Sequence, residues 1–278
     1  MTEEELFPPG RHERAEAIWR ELRAHPHLPD RDSRHCELIE FLGWDVAQKA
    51  PFTTPWLFEH DPRWDHYRRQ LGLEVNDFRL MHQVSLFNRL DPERHDMFWI
   101  LDGLLARLEE LGGPDELSVL DFGCGPAQTG LAFASQGYRT VLDDVSPVYY
   151  AYQRFMASIR GLDERAVVVQ TSEEDYYDTG ADGHRYGLVV EWSTLEHSPD
   201  VRRAVDEITA GLVPGGIFLT TTLAHEWTPE RREHYRQDAL DEGIAEQLFS
   251  TELDAYLHER FEVLSPERTL AKVLVKRP

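Results

Sequence analysis

The chain is predicted to fold as an α/β protein, a seven-stranded sheet with helices on both faces preceded by a helical N-terminal part, and three observations predict it. From Leu117 onward, short apolar runs alternate with helical stretches, the pattern of strand and helix crossovers around a parallel sheet. The first of these runs, Val119-Leu120-Asp121-Phe122, ends in a carboxylate and breaks at once into Gly123-Cys124-Gly125. Before it, from Arg11 to Gly112, the periodicity is helical almost throughout.

In chain order, Ala15, Ile18, Trp19 and Leu22 recur at i, i+3, i+4 and i+7 and so share one helix face. Pro51 to Tyr67 is rich in proline and aromatics, with Phe52, Trp56, Phe58, Trp64 and Tyr67, and reads as a helical cap whose aromatics pack inward or line a pocket. Asp91-Pro92 is a helix start, an N-cap carboxylate followed by a first-turn proline. The stripe Met97, Ile100, Leu101, Leu104, Leu105, Leu108, Leu111 follows, and Gly112-Gly113-Pro114 ends it. The boundary between the two parts is therefore placed at 112/113. The expected strands are Ser118 to Asp121, Arg139 to Asp143, Val167 to Gln170, Gly187 to Glu191, Ile217 to Thr222, Phe261 to Leu264 and Leu270 to Val275. Thr129 to Ala134 starts the helix after the glycines, Ser146-Pro147 opens the helix after the second strand, and Pro214-Gly215-Gly216 makes the turn into the fifth.

Composition narrows the partners. Lys and Arg number 29 against 51 Asp and Glu, a net charge of −22, which repels a phosphate backbone, so no nucleic-acid partner is expected. The arginine clusters, Arg11 to Arg23 and Arg231 to Arg236, are interleaved with glutamates and read as solvated helix faces. No apolar run is long enough to span a bilayer, and Met1-Thr2-Glu3-Glu4-Glu5 is acidic where a secretory signal is basic, so no membrane association and a cytoplasmic location are expected. Cys36 and Cys124 lie far apart, and neither histidines nor cysteines show a metal-ligand spacing; no disulfide and no metal site are expected. The oligomeric state is left open.

Four motifs then fall in register: Leu120-Asp121-Phe122-Gly123-Cys124-Gly125-Pro126, Asp144-Val145-Ser146-Pro147, Leu195-Glu196-His197 and Leu212-Val213-Pro214-Gly215-Gly216. Their order and spacing resemble those of class I S-adenosylmethionine-dependent methyltransferases over about Leu117 to Val275, and the four together are far more specific than any one of them. The resemblance implies a Rossmann-like seven-stranded sheet whose last strands form a hairpin, turning here at Pro266-Glu267-Arg268, with S-adenosylmethionine across the carboxyl ends of the first strands. It implies that 113–278 is the cofactor-binding domain, that 1–112 is an extension or cap, and that 224–249 is a lid insertion.

Carried over residue by residue, the resemblance assigns Asp121, Gly123, Cys124 and Gly125 to the cofactor loop, Asp144 to the ribose hydroxyls and Val145 to the flank of the adenine. A carboxylate has two acceptor oxygens, which suits a vicinal diol. The stretch Ser172-Glu173-Glu174-Asp175 is assigned to the adenine amino edge without distinguishing among the four, Glu173 standing for it, and Glu191 to the methionine portion. Two departures from the usual pattern stand out. Ala127 and Gln128 occupy positions commonly glycine or small, and Asp143-Asp144 doubles the acid, although the strand period of two points the pair to opposite sides. The competing G-x-G-x-x-G turn of nicotinamide dehydrogenases needs a third glycine where Gln128 stands.

Methyl transfer from a sulfonium is an in-line displacement that chiefly needs positioning, so no catalytic residue is required. His197, His225 and His234 are candidate bases for a hydroxyl acceptor, and Tyr149, with Tyr150 and Tyr152, is the aromatic cluster nearest the cofactor. Glu191-Trp192-Ser193-Thr194 differs from the Asn-Pro-Pro-Tyr run used on nucleobase and glutamine amides; with the negative charge it points to a small-molecule substrate. Two alternatives remain open: cyclisation of the cofactor's aminobutyl chain with release of methylthioadenosine, and a scaffold that binds without turnover.

Overall fold

The computed structural model describes residues 2–6, 12–25, 28–32, 96–171, 183–192, 194–221, 242–248, 250–264 and 272–278. The aromatic run 51–67, the helix start at Asp91-Pro92, Glu173, His225, His234 and the hairpin turn at 266–268 lie outside them.

The sheet has seven strands: β1 Ser118–Phe122, β2 Arg139–Asp144, β3 Ala166–Gln170, β4 Tyr186–Glu191, β5 Leu212–Thr220, β6 Phe261–Leu264 and β7 Lys272–Lys276. Their spatial order is β3-β2-β1-β4-β5-β7-β6. The first five run parallel, and β7 is antiparallel to both β5 and β6. The chain winds outward from β1 to β3 and then returns to β4. The order therefore reverses between β1 and β4, and in such sheets ligands bind beyond the carboxyl ends of the strands at that point.

The period of two along the strands sorts side chains between two cores. Val119, Leu188, Val190, Ile217, Leu219, Val273 and Val275 face one way. Leu120, Phe122, Val189, Phe218 and Leu274 face the other. The first core is covered by helices α1 Glu13–Arg23, α2 Asp96–Leu111, α3 Gln128–Ser135 and α4 Pro147–Ile159. The second is covered by α5 Val201–Gly211, α6 Glu242–Leu248 and α7 Thr251–Arg260.

Five side chains dock α2: Ile100, Leu101, Leu104, Leu105 and Leu108, all fully buried. Each contributes about 1.5–3 kcal/mol by leaving water. The expected glycine stop holds, because α2 ends at Leu111 and the N–H of Gly113 donates to the Leu108 carbonyl at 2.8 Å. The stripe of α1 also lands as its spacing predicts, with Ala15 and Ile18 buried and Trp19 and Leu22 packed against the same core. Polar contacts secure this helix: the Ala15 N–H donates to Asp102 Oδ1 at 2.7 Å, and Arg14 Nε donates to Gln136 Oε1 at 3.0 Å.

Two local expectations change. The N-terminal part is not helical throughout, since Ala24–His25 and Leu28–Asp32 form a short antiparallel ribbon directly after α1. The segment Pro214-Gly215-Gly216 does not precede β5 but lies within it. Leu212 pairs with Tyr186 and Ile217 with Leu188, so the intervening residues bulge out of the ladder.

Candidate functional site

The loop after β1 owes its path to left-handed backbone. Gly123 has φ of 61° and Gly125 of 49°, a region in which a Cβ clashes with its own carbonyl. At Gly123 the environment forbids a side chain as well, because an added Cβ would overlap the Thr194 side chain. Ala127 also takes a positive φ, 59°, at the N-cap of α3. An alanine there costs about 1–2 kcal/mol relative to ordinary backbone, so the loop stores strain at one of the two positions, Ala127 and Gln128, where this chain departs from the usual glycine or small residue.

Hydrogen bonds from neighbouring elements hold the loop. The Cys124 N–H donates to the Asp143 carbonyl at 2.9 Å, and the Ala127 N–H donates to the Cys124 carbonyl at 2.8 Å. The Gly125 N–H donates to Asp144 Oδ2 at 2.8 Å. The Gly125 carbonyl accepts from Gln153 Nε2 at 2.8 Å, and the same nitrogen lies 3.1 Å from Cys124 Sγ. Burial, together with the carboxylates of Asp121, Asp144 and Asp143, pushes the Cys124 thiol well up, so it stays protonated.

The three aspartates have separate tasks. Asp121 is buried, and its Oδ2 accepts the Gly130 N–H at 2.7 Å, tying the first turn of α3 to the end of β1. Burial pushes its carboxyl up to about 7 against that hydrogen bond. Asp144 lies on the Leu142 side of β2, facing α3 and α4, and Asp143 on the Val141 side, as the strand period requires. Asp143 Oδ1 accepts from Thr171 Oγ1 at 2.9 Å, and burial holds its carboxyl at about 7.

Asp144 is the acid whose side chain reaches the glycine loop. Its Oδ1 accepts the Ser146 N–H at 2.9 Å and its Oδ2 the Gly125 N–H, so both oxygens act as acceptors at the end of β2, the kind of group that suits a vicinal diol. It does not cap α4, because Ser146 does: its Oγ accepts the Tyr149 N–H and Pro147 occupies the first turn. Val145, next along, is 46% exposed, while the side chains on either side of it are buried. An apolar residue held out at the carboxyl end of a parallel sheet is a platform for a flat apolar group. The glycine backbone, a buried carboxylate and an exposed apolar side chain follow one another here, and their chemistry fits a nucleoside cofactor.

Tyr149 reaches over the loop, with its ring 4.0 Å from where a Gly125 Cβ would stand. Burial and the neighbouring Asp144 and Cys124 push its phenol far up, so it is a protonated wall and not a base at neutral pH. Glu191 ends β4 fully buried, and its carboxylate organises the following turn. Oε1 accepts the N–H groups of Thr194, at 2.6 Å, and Leu195, at 3.1 Å, and Oε2 accepts the Thr220 hydroxyl. Thr194 Oγ1 then donates to the Gly123 carbonyl at 3.2 Å, linking that turn to the loop. His197 ends the short 3-10 turn Leu195–His197 and is exposed.

Gln153 and Thr194 were not singled out by motif reasoning, although one signal was present for the first. Tyr149, Tyr152 and Met156 form the buried stripe of α4, and Gln153, four residues after Tyr149, is a polar residue on that apolar face. For Thr194 there was none, because its contact with Gly123 joins two loops 71 residues apart. Among the described residues, no group of three or more His, Cys, Asp or Glu side chains is placed to hold a metal ion, and no helix is long and apolar enough to cross a membrane.

The raised carboxyl of Asp143 makes stability depend on pH with a definite sign. The folded state holds a proton that the unfolded chain releases near pH 4, so the cost of ionising Asp143 grows between about pH 4 and 7 and is complete above 7. Asp143→Asn keeps the acceptor for Thr171 and removes that cost. The variant is expected to be more stable than the parent by about 1–3 kcal/mol at pH 8 and equal to it near pH 4, measured by urea unfolding at both values. A difference independent of pH would show that the Asp143 carboxyl titrates alike in the folded and unfolded chain.

The strand order, the glycine turn after β1 and the acid after β2 define a class I S-adenosylmethionine-dependent methyltransferase. Residues 94–265 match the family described as a methyltransferase domain, and the chain belongs to it, with S-adenosylmethionine as the cofactor. A curated relative, the tRNA 5-carboxymethoxyuridine methyltransferase of Escherichia coli K12, is 28% identical over 121 residues, 42% of this chain and 43% of its own length. The chain thus spans less than half of the curated relatives it matches. A Staphylococcus aureus structure described as a candidate caffeoyl-CoA O-methyltransferase is 8% identical, with a TM-score of 0.50 over 76% of this chain and 95% of that one. The S-adenosylhomocysteine-bound methyltransferase of Podospora anserina is 16% identical, with a TM-score of 0.48 over 72% and 87%.

Proposed function

We propose that the protein transfers the methyl group of S-adenosylmethionine to a small-molecule acceptor. The observation that carries the cofactor half of this reading is Asp144, buried at the end of β2 with a carboxylate oxygen on the Gly125 N–H of the glycine loop. In this reading Asp144 accepts both ribose hydroxyls, Val145 packs on the adenine, and Gly123, Cys124 and Gly125 offer backbone to the methionine portion. Asp121 and Glu191 act one step back, the first on α3 and the second on the turn that carries Thr194. Tyr149 shields the loop from water on the α4 side. When bound, the cofactor supplies an electrophilic methyl group; the chain's own residues orient it and exclude solvent.

The acceptor half rests on the net charge of −22, which disfavours a polyanion. The 224–249 insertion and the N-terminal segment complete the acceptor pocket in this reading, with His225 or His197 as base for a hydroxyl. A second reading has a specific observation behind it: the relative that methylates tRNA matches 42% of the chain. Cyclisation of the cofactor is the third.

Product analysis separates them. With S-adenosylmethionine and a pool of small metabolites, S-adenosylhomocysteine is expected to form only when the pool is present. Formation with total tRNA alone would move the acceptor to nucleic acid. Methylthioadenosine without any acceptor would replace methyl transfer by cyclisation.

A further inference from the structure

Gln153 has no task in the reading above, yet it is fully buried on α4 with its amide turned into the glycine loop. Its Nε2 donates to the Gly125 carbonyl at 2.8 Å and to Cys124 Sγ at 3.1 Å. These two acceptors settle the orientation of the amide, since the flipped form would set one carbonyl oxygen against another. Oε1 is then buried without a hydrogen-bond partner among the described residues. A buried acceptor left without a donor destabilises the fold. The neighbours Tyr149, Tyr152 and Met156 would accept an apolar side chain of the same length. Packing alone therefore does not explain an amide at this position.

The loop geometry does explain it. Two peptide groups flank the Gly125 Cα. The N–H of the first is held by Asp144, and the carbonyl of the second by Gln153. With both clamped, a glycine that would otherwise rotate freely stays at its φ of 49°.

We infer that Gln153 is a positioning residue for cofactor binding, which locks the Gly125 peptide in the conformation the loop presents to S-adenosylmethionine; the inference rests on the reading of this loop as the cofactor site. It acts through Gly125 and touches no reacting atom.

The test measures the S-adenosylmethionine Kd by calorimetry, and the melting temperature without ligand, for the parent, Gln153→Met and Gln153→Glu. Gln153→Met is expected to melt within about 2 °C of the parent or above it, while binding weakens about tenfold or more. Gln153→Glu cannot donate when ionised, and the acid stands against Cys124 Sγ and the Gly125 carbonyl, on the same face of the sheet as Asp121, Asp144 and Tyr149. Its binding is expected to be weak at pH 8 and to recover towards the parent's at pH 6, where the protonated acid donates to the Gly125 carbonyl, with the parent titrated alongside. Parent-like affinity in Gln153→Met, within about threefold, overturns the inference. So does a fall in melting temperature that accounts for the whole loss of affinity, or a deficit in Gln153→Glu that pH leaves unchanged. Failure of the parent itself to bind S-adenosylmethionine overturns the reading of the loop, and the inference with it.

Discussion

Asp144→Ala is expected to abolish the stabilisation of the protein by S-adenosylmethionine. At a ligand concentration of about 100 times Kd, binding to the parent contributes about 2.7 kcal/mol, which raises the melting temperature by roughly 5–10 °C. Hydrogen bonds to a charged acceptor contribute about 1.5–3 kcal/mol each, and a diol makes two, so removing the carboxylate weakens binding by about 10²–10⁴-fold. The unliganded protein changes far less, because the variant also sheds a buried charge whose carboxyl is already pushed up by desolvation. Calorimetric titration of both proteins checks this. If Asp144→Ala binds S-adenosylmethionine as the parent does, the assignment of the ribose to this acid is wrong.

Gly123→Ala carries the second large effect, and it is an effect on the fold as well as on the ligand. Left-handed backbone costs an alanine about 1–2 kcal/mol. The added methyl also overlaps Thr194, which must move and surrender its hydrogen bond to the Gly123 carbonyl. We expect a destabilisation of about 2–4 kcal/mol and loss of cofactor binding. The cause is separable by a double-mutant cycle. Thr194→Gly removes the side chain in the way, so the pair should be less destabilised than the sum of the single changes by about 1–3 kcal/mol. Additivity within about 0.5 kcal/mol would show that the clash is not what excludes a side chain at residue 123.

The residues that the two predictions change were both legible in the sequence. Asp144 and Gly123 stand at recognisable spacings, and the strand period by itself separated Asp143 from Asp144. The seven strands and the α1 and α2 stripes were readable for the same reason: burial of one face imposes a period that survives in the residue order. Bulging at Pro214 to Gly216 was not readable, because whether a Pro-Gly-Gly run precedes a strand or bulges within it depends on what the neighbouring strand pairs with. Nor was the ribbon after α1, where Leu28–Asp32 carries a proline and three charges and has no strand-like alternation.

At the site the division is sharper. Residue order alone determined the architecture, the class of the protein and the acid that holds the Gly125 N–H, because these depend on short-range patterns and on a motif series whose spacing is set by strand and helix lengths. The tertiary structure decided which groups hold the loop in shape: Gln153 from α4, Thr194 from the turn after β4, and Glu191 turned inward to carry Thr194. The first two contacts join residues 28 and 71 apart, and hydrogen bonds between remote elements leave no period in the chain. The glycines make a cradle possible, and long-range donors and acceptors give it one conformation.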